Sequence, residues 1–119
     1  MKNVKDQVYM ALSNVTENVT DSYPSDWVEL PAIQYTEEDN KVVERTDNRE
    51  DKAHVRYRVD IWNNKSTSPA AMAVDDAVGA LGLVRTLCQD VPDPSGLKHK
   101  VMRYEGIIDM ETDIVYWNN

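Results

Sequence analysis

Hydrophobic and polar residues alternate with two distinct periods along this chain. Val4, Val8, Leu12 and Val15 recur at spacings of four, four and three, the single apolar stripe of a helix over residues 3–14, with Asn3 placed to cap it. Turn residues Asp21-Ser22-Tyr23-Pro24-Ser25-Asp26 end that pattern, and Pro31 marks entry to a short strand, Ala32–Thr36. From His54 the period becomes two. Val55, Tyr57, Val59 and Ile61 fall on one side, and Arg56, Arg58, Asp60 and Trp62 on the other, the pattern of a sheet packed on one face. A second helix opens at Ser68-Pro69, buries Ala71, Val74, Val78 and Leu81, and exits through Gly82. Strand-like runs follow at 83–89, 99–109 and 113–117. The expected fold is α+β: a mostly antiparallel β-sheet with two helices packed on one face, in the order α-β-β-α-β-β-β.

With 119 residues, the chain reads as a single domain spanning 1–119. Residues 37–52 break the pattern. They hold seven acids and four bases and read as a long charged loop between two strands, an element that in a compact domain is often functional. Shortness of apolar runs argues against any membrane span, and the polar start, Met1-Lys2-Asn3-Val4-Lys5-Asp6, offers no secretory leader, so a cytoplasmic site of synthesis is expected.

Composition adds two constraints. The net charge is −8, so the cationic footprint of a nucleic-acid binder is missing and no specific nucleic-acid binding is expected. There is no Phe; six Tyr and three Trp supply the aromatic bulk, and their polar tips suit half-buried positions and interfaces. The lone cysteine, Cys88, reads as a small buried hydrophobe.

Candidate chemistry is sparse. His54 and His99 each stand near a strand start and read as polar surface residues. The acids Asp109, Glu111 and Asp113 lack the glycine and ligand spacing of a calcium loop. Gly79 and Gly82 end a helix instead of opening one, so they do not cradle phosphate. No catalytic residue, metal site or cofactor site is therefore expected. The candidates are interaction residues. Trp62 is a large apolar group on the face with Arg56 and Arg58, which reads as an exposed subunit contact together with Trp117. The charged segment contributes Glu37, Glu38, Asp39, Glu44, Arg45, Asp47 and Arg49.

The order of these elements resembles the small tail-completion proteins of long-tailed bacteriophages and prophages, the tail terminators or tail-to-head joining proteins. The likeness runs through an N-terminal helix leading to Tyr23-Pro24 and Leu30-Pro31-Ala32-Ile33-Gln34-Tyr35. It continues through the acidic segment, Tyr57-Arg58-Val59-Asp60-Ile61-Trp62 and Leu81-Gly82-Leu83, to Arg103-Tyr104-Glu105-Gly106-Ile107-Ile108-Asp109. It implies a homo-oligomeric ring, usually a hexamer, that caps the tail tube and meets the head connector. The implied partners are the chain itself, the tail tube protein and a head connector or neck protein. The implied location is host cytoplasm during assembly, then the head–tail junction of the virion. Two other readings stand beside it: a head-closure or neck component, and a small monomeric or dimeric α+β ligand-binding or regulatory module.

Overall fold

The computed structural model describes residues 4–46, 49–109 and 115–116. Its elements are α1 (Lys5–Ser13), β1 (Val19–Thr20), β2 (Ala32–Thr46), β3 (Arg49–Asn63), α2 (Ser68–Gly79), β4 (Val84–Val91), β5 (Lys98–Asp109) and β6 (Val115–Tyr116). This is the expected α+β class, with one short addition. β1 lies where the turn residues begin, because Val19 buries itself beside Ile33 in a parallel pairing.

The six-stranded sheet runs β1-β2-β3-β5-β4, with β6 pairing the end of β5. The β2–β3, β3–β5 and β4–β5 pairings are all antiparallel. Registers Ile33↔Ile61, Tyr35↔Val59↔Met102 and Tyr57↔Tyr104 set these apolar residues side by side on one face. Val4, Val8 and Leu12 of α1 and Ala70, Ala71, Val74 and Val78 of α2 cover that face. Each of the larger side chains gains about 1.5–3 kcal/mol on leaving water, which makes this one layer the main source of stability. Tyr57 and Tyr104 are fully buried, and each passes its hydroxyl to a carboxylate at the margin. Tyr57 donates to Glu37 at 3.0 Å and Tyr104 to Asp75 at 2.9 Å. Burial first, and then these carboxylates, push both phenols well above their ordinary range.

Three expectations change here. The charged segment 37–52 is not a loop: its described residues continue β2 to Thr46 and start β3 at Arg49. Pairings such as Lys41↔His54 and Val42↔Ala53 hold it, with register shifts at Glu37/Asp39 and Val42/Glu44. Charge hid it because both strands leave the helix layer here and carry polar residues that need no core. The pairs Arg45↔Glu50 and Thr46↔Arg49 lie beyond Asp109, the end of β5, and the molecule measures 52 × 25 × 24 Å. Cys88 is exposed and not buried, because α2 stops short of β4. The cap expected from Ser68 is absent: Thr67 occupies that position and makes no side-chain cap hydrogen bond. The Asn3 cap and the turn acids Glu111 and Asp113 lie outside the described residues.

Gly82 leaves α2 at φ 95°, a left-handed conformation natural to glycine, and a Cβ there would collide with the Val115 backbone carbonyl. Gly79, one turn earlier, has open space around its missing Cβ. Gly82→Ala should therefore cost more than about 2 kcal/mol in urea unfolding. Gly79→Ala should be neutral or stabilising by up to about 1 kcal/mol. Equal effects from the two would show that the close approach of Val115 plays no part.

Candidate functional site: the polar face of the sheet

The side of the sheet away from the helices carries a continuous array of charges, built by strand alternation. β3 supplies His54, Arg56, Arg58, Asp60 and Trp62; β5 supplies His99, Val101, Arg103 and Glu105 in register beside them. β2 adds Gln34, Thr36 and Asp39, and its irregularity between Glu37 and Asp39 sets Glu38 over this face.

Glu38 is the hub. It accepts from Arg103 at 2.9 and 3.4 Å and lies 3.3 Å from Arg56. Arg58 and Arg103 are directly opposed across β3 and β5, a like-charge pairing that an acid must relieve. Burial alone would raise the Glu38 carboxyl. The hydrogen bond from Arg103 and the charges of Arg103, Arg56 and Arg58 together outweigh it, and the group titrates below its ordinary range. Further along, His54 Nε2 lies 3.0 Å from Glu105, and its Nδ1 4.0 Å from Asp39.

At the other end is a closed aromatic cluster. Trp62 is only 3% exposed. Its indole stacks on the His99 ring at 4.4 Å, and Tyr23 and Trp27 meet it edge-on, each at 5.6 Å. The indole N–H donates to Asp93 at 3.1 Å. His99 is clasped at both nitrogens: Nε2 is 3.0 Å from Asp60 and Nδ1 3.5 Å from Asp93. The buried Asp60 also accepts two 3.1 Å hydrogen bonds from Arg58 Nε. Hydrogen bonds from Ser95 and then Trp62, with the His99 charge, hold the Asp93 carboxyl below its usual value.

This geometry corrects two expectations. Trp62 does lie on the polar face, but residues from its own chain cover it, so it is not an exposed subunit contact. His99 is a buried member of an acid–histidine–acid clasp and His54 is half-buried; neither is a free surface residue. The other candidates divide clearly. Arg56, Arg58, Glu38 and Asp39 join the array, while Glu37 turns to the helix side and accepts from Tyr57 and Asn40. Glu44, Arg45 and Arg49 lie on the hairpin strands, with side chains outside the described set. Asp47 and Trp117 lie outside the described residues.

Asp60, Asp93, Arg103, Glu105, Tyr23 and Trp27 were not named as site residues from sequence, and His99 was read there only as a polar surface residue. The one local signal was Asp93-Pro94-Ser95-Gly96, whose turn brings a carboxylate back beside Trp62. Asp60 and His99 are 39 residues apart, and only the β3–β5 register joins them.

The charged groups of this face are engaged with one another. The carboxylates of Glu38, Asp60 and Asp93 are each engaged by at least two donors, and both His99 nitrogens face acids. Asp60 and Asp93 sit at different ring nitrogens, so they do not converge on a single point. Among the described residues, no group of three or more His, Cys, Asp or Glu is placed to hold a metal ion. No described helix is long and apolar enough to cross a membrane. Compared with known proteins, the sequence matches no family model and no curated protein.

Trp62→Ala should unfold the domain at lower denaturant, with a loss of about 3–5 kcal/mol. A change in association with unchanged urea stability would place Trp62 at an interface after all. Because the Glu38 and Asp93 carboxyls sit below their unfolded values, their stabilisation is complete only above about pH 5.5 and is lost progressively as pH falls through the unfolded and then the folded values. Glu38→Gln should flatten that acid limb and cost about 1–2 kcal/mol at neutral pH. Identical pH profiles for Glu38→Gln and wild type would remove Glu38 as the hub.

Proposed function

We propose that this protein is a structural subunit of a bacteriophage or prophage tail. It closes into a ring on the end of the tail tube and joins the tail to the head. The observation that carries this reading is the hairpin of β2 and β3, an arm of charged residues extending the sheet along a 52 Å axis past the helix layer. A two-stranded ribbon alone in water is marginal, so an arm of this kind has a use when a neighbouring subunit or the tube covers it. The exposed Val42 and Val43 near its end fit that use. The paired charges on the polar face favour rigidity over substrate binding. The net charge of −8 suits a ring whose lumen passes DNA without holding it. The resemblance of its element order to tail-completion proteins is what points to this particular assembly. In this reading the protein works by assembly and performs no catalytic step.

Shortening the arm tests the proposal. Val42 and Ala53 are partners across the hairpin, so residues 43–52 can be replaced by Asn-Gly, the two-residue turn that suits paired strands. The shortened protein should keep its circular-dichroism spectrum. Electron microscopy of particles made with it should show tails of irregular length or tails without heads. Normal, joined tails would remove the arm from the assembly mechanism.

A further inference from the structure

The sheet ends in two open edges of matching character. β4 occupies one margin and, among the described residues, pairs only with β5. It is exposed on both faces for nearly its whole length: Val84, Arg85, Thr86, Cys88, Gln89 and Asp90 are all exposed. An edge strand is ordinarily protected by proline, by lysine or by unpaired charge. β4 contains no proline and no lysine, and its two charged residues are neutralised within the chain: Arg85 lies 3.3 Å from Asp75, and Asp90 lies 3.0 Å from Lys100. Under the strand, toward α2, is an open groove of about 330 Å³ whose lining mixes Ala71, Met72 and Met102 with the charged Asp75, Arg85 and Lys100, with Met72 71% exposed. The opposite margin is β2. β1 covers it only at Ile33 and Gln34, leaving the edge from Tyr35 to Thr46 without a strand partner among the described residues.

Strand direction decides what fits. β2, β3, β5 and β4 alternate in direction, each antiparallel to the next. The number is even. A second copy set beside the first in the same orientation therefore brings its β2 antiparallel to β4, with its helix layer on the same side. An odd number of strands would have forced a parallel junction or turned the helices over. The free stretch of β2 is long enough for all eight residues of β4. On its helix side it presents Val42, opposite buried Ala53, an apolar side chain that can meet the Met72 and Met102 part of the groove.

We infer that β4 of one copy pairs with the free edge of β2 in a second copy, head to tail, so that the sheet runs unbroken from subunit to subunit. The inference rests on the ring reading and specifies its joint. A junction of this type uses two different surfaces, so it propagates in one direction and closes only when the rotation per subunit permits. It sends every hairpin arm out on the same side of the ring. Backbone hydrogen bonds give the joint its strength, and the groove beside α2 selects the partner side chain.

Cys88, at the middle of β4 and the only cysteine, is a native probe. Single cysteines are introduced at helix-side positions along the outer strand β2, as Glu37→Cys, Asn40→Cys and Val42→Cys. Each variant is first checked by circular dichroism, then oxidised mildly and run on a non-reducing gel, with light scattering of wild-type protein alongside. At least one variant should give a ladder of dimer, trimer and larger species, and the same variant with Cys88→Ser should stop at dimer. Leu87→Lys should raise the concentration for half-assembly about tenfold, equivalent to about 1.4 kcal/mol. An oligomeric wild type with no ladder from any of the three folded variants overturns the edge pairing and leaves the ring standing. A wild type that stays monomeric at every concentration overturns both. If Cys88 cross-links only to added tail tube protein, the edge belongs to that partner and the head-to-tail pairing falls.

Discussion

The structure depends on the antiparallel registration of β3 with β2 and β5. β3 has no spare face: Val55, Tyr57, Val59 and Ile61 go under the helices, while Arg56, Arg58, Asp60 and Trp62 go to the other side. A slip of one residue would drive arginine and aspartate into the core and expose four apolar side chains. Both faces therefore enforce the same alignment. The apolar face does so through burial, and the polar face through pairings that exist only in this register.

The two faces stabilise in different ways. The helix-covered face contributes through area removed from water and is insensitive to salt or mild acid. Even its polar atoms, the Tyr57 and Tyr104 hydroxyls, reach carboxylates at the edge of the layer and are not left unsatisfied. The polar face contributes through arrangement. Opposed Arg58 and Arg103 would repel each other, and Glu38 and Asp60 turn that repulsion into two linked ion pairs. Trp62 then closes one end with the His99 stack, and Asp93 binds both rings. The result is a plate whose charged side chains are tied to one another across three strands.

Its unfinished features lie at the margins. β4 pairs only with β5 among the described residues, the outer edge of β2 extends far beyond β1, and the pairs Arg45↔Glu50 and Thr46↔Arg49 lie past the end of β5. The side chains of the middle of the sheet are engaged within the chain, and the margins are where strand pairing is incomplete among the described residues.

Much of the fold was legible in the sequence, because its signals are local. The stripes at Val4–Val8–Leu12 and Ala71–Val74–Val78, the alternation from Val55 to Trp62, and the exit at Gly82 each record contacts within one element. The hairpin was not legible. Residues 37–43 put charged and amide side chains on both faces, Glu37 toward Tyr57 and Glu38 toward Arg103, and alternation of apolar with polar residues disappears when both faces are polar. The candidate site was hidden for a different reason. Trp62 reads as exposed when only its neighbours Asp60 and Arg58 are considered. Its covering residues, Tyr23, Trp27 and His99, arrive from a loop and a strand distant in the chain. The sequence by itself determined which residues face in and which face out along each element. The tertiary structure decided what covers the outward face, because pairing between β3 and β5 joins positions 39 residues apart that no local pattern relates.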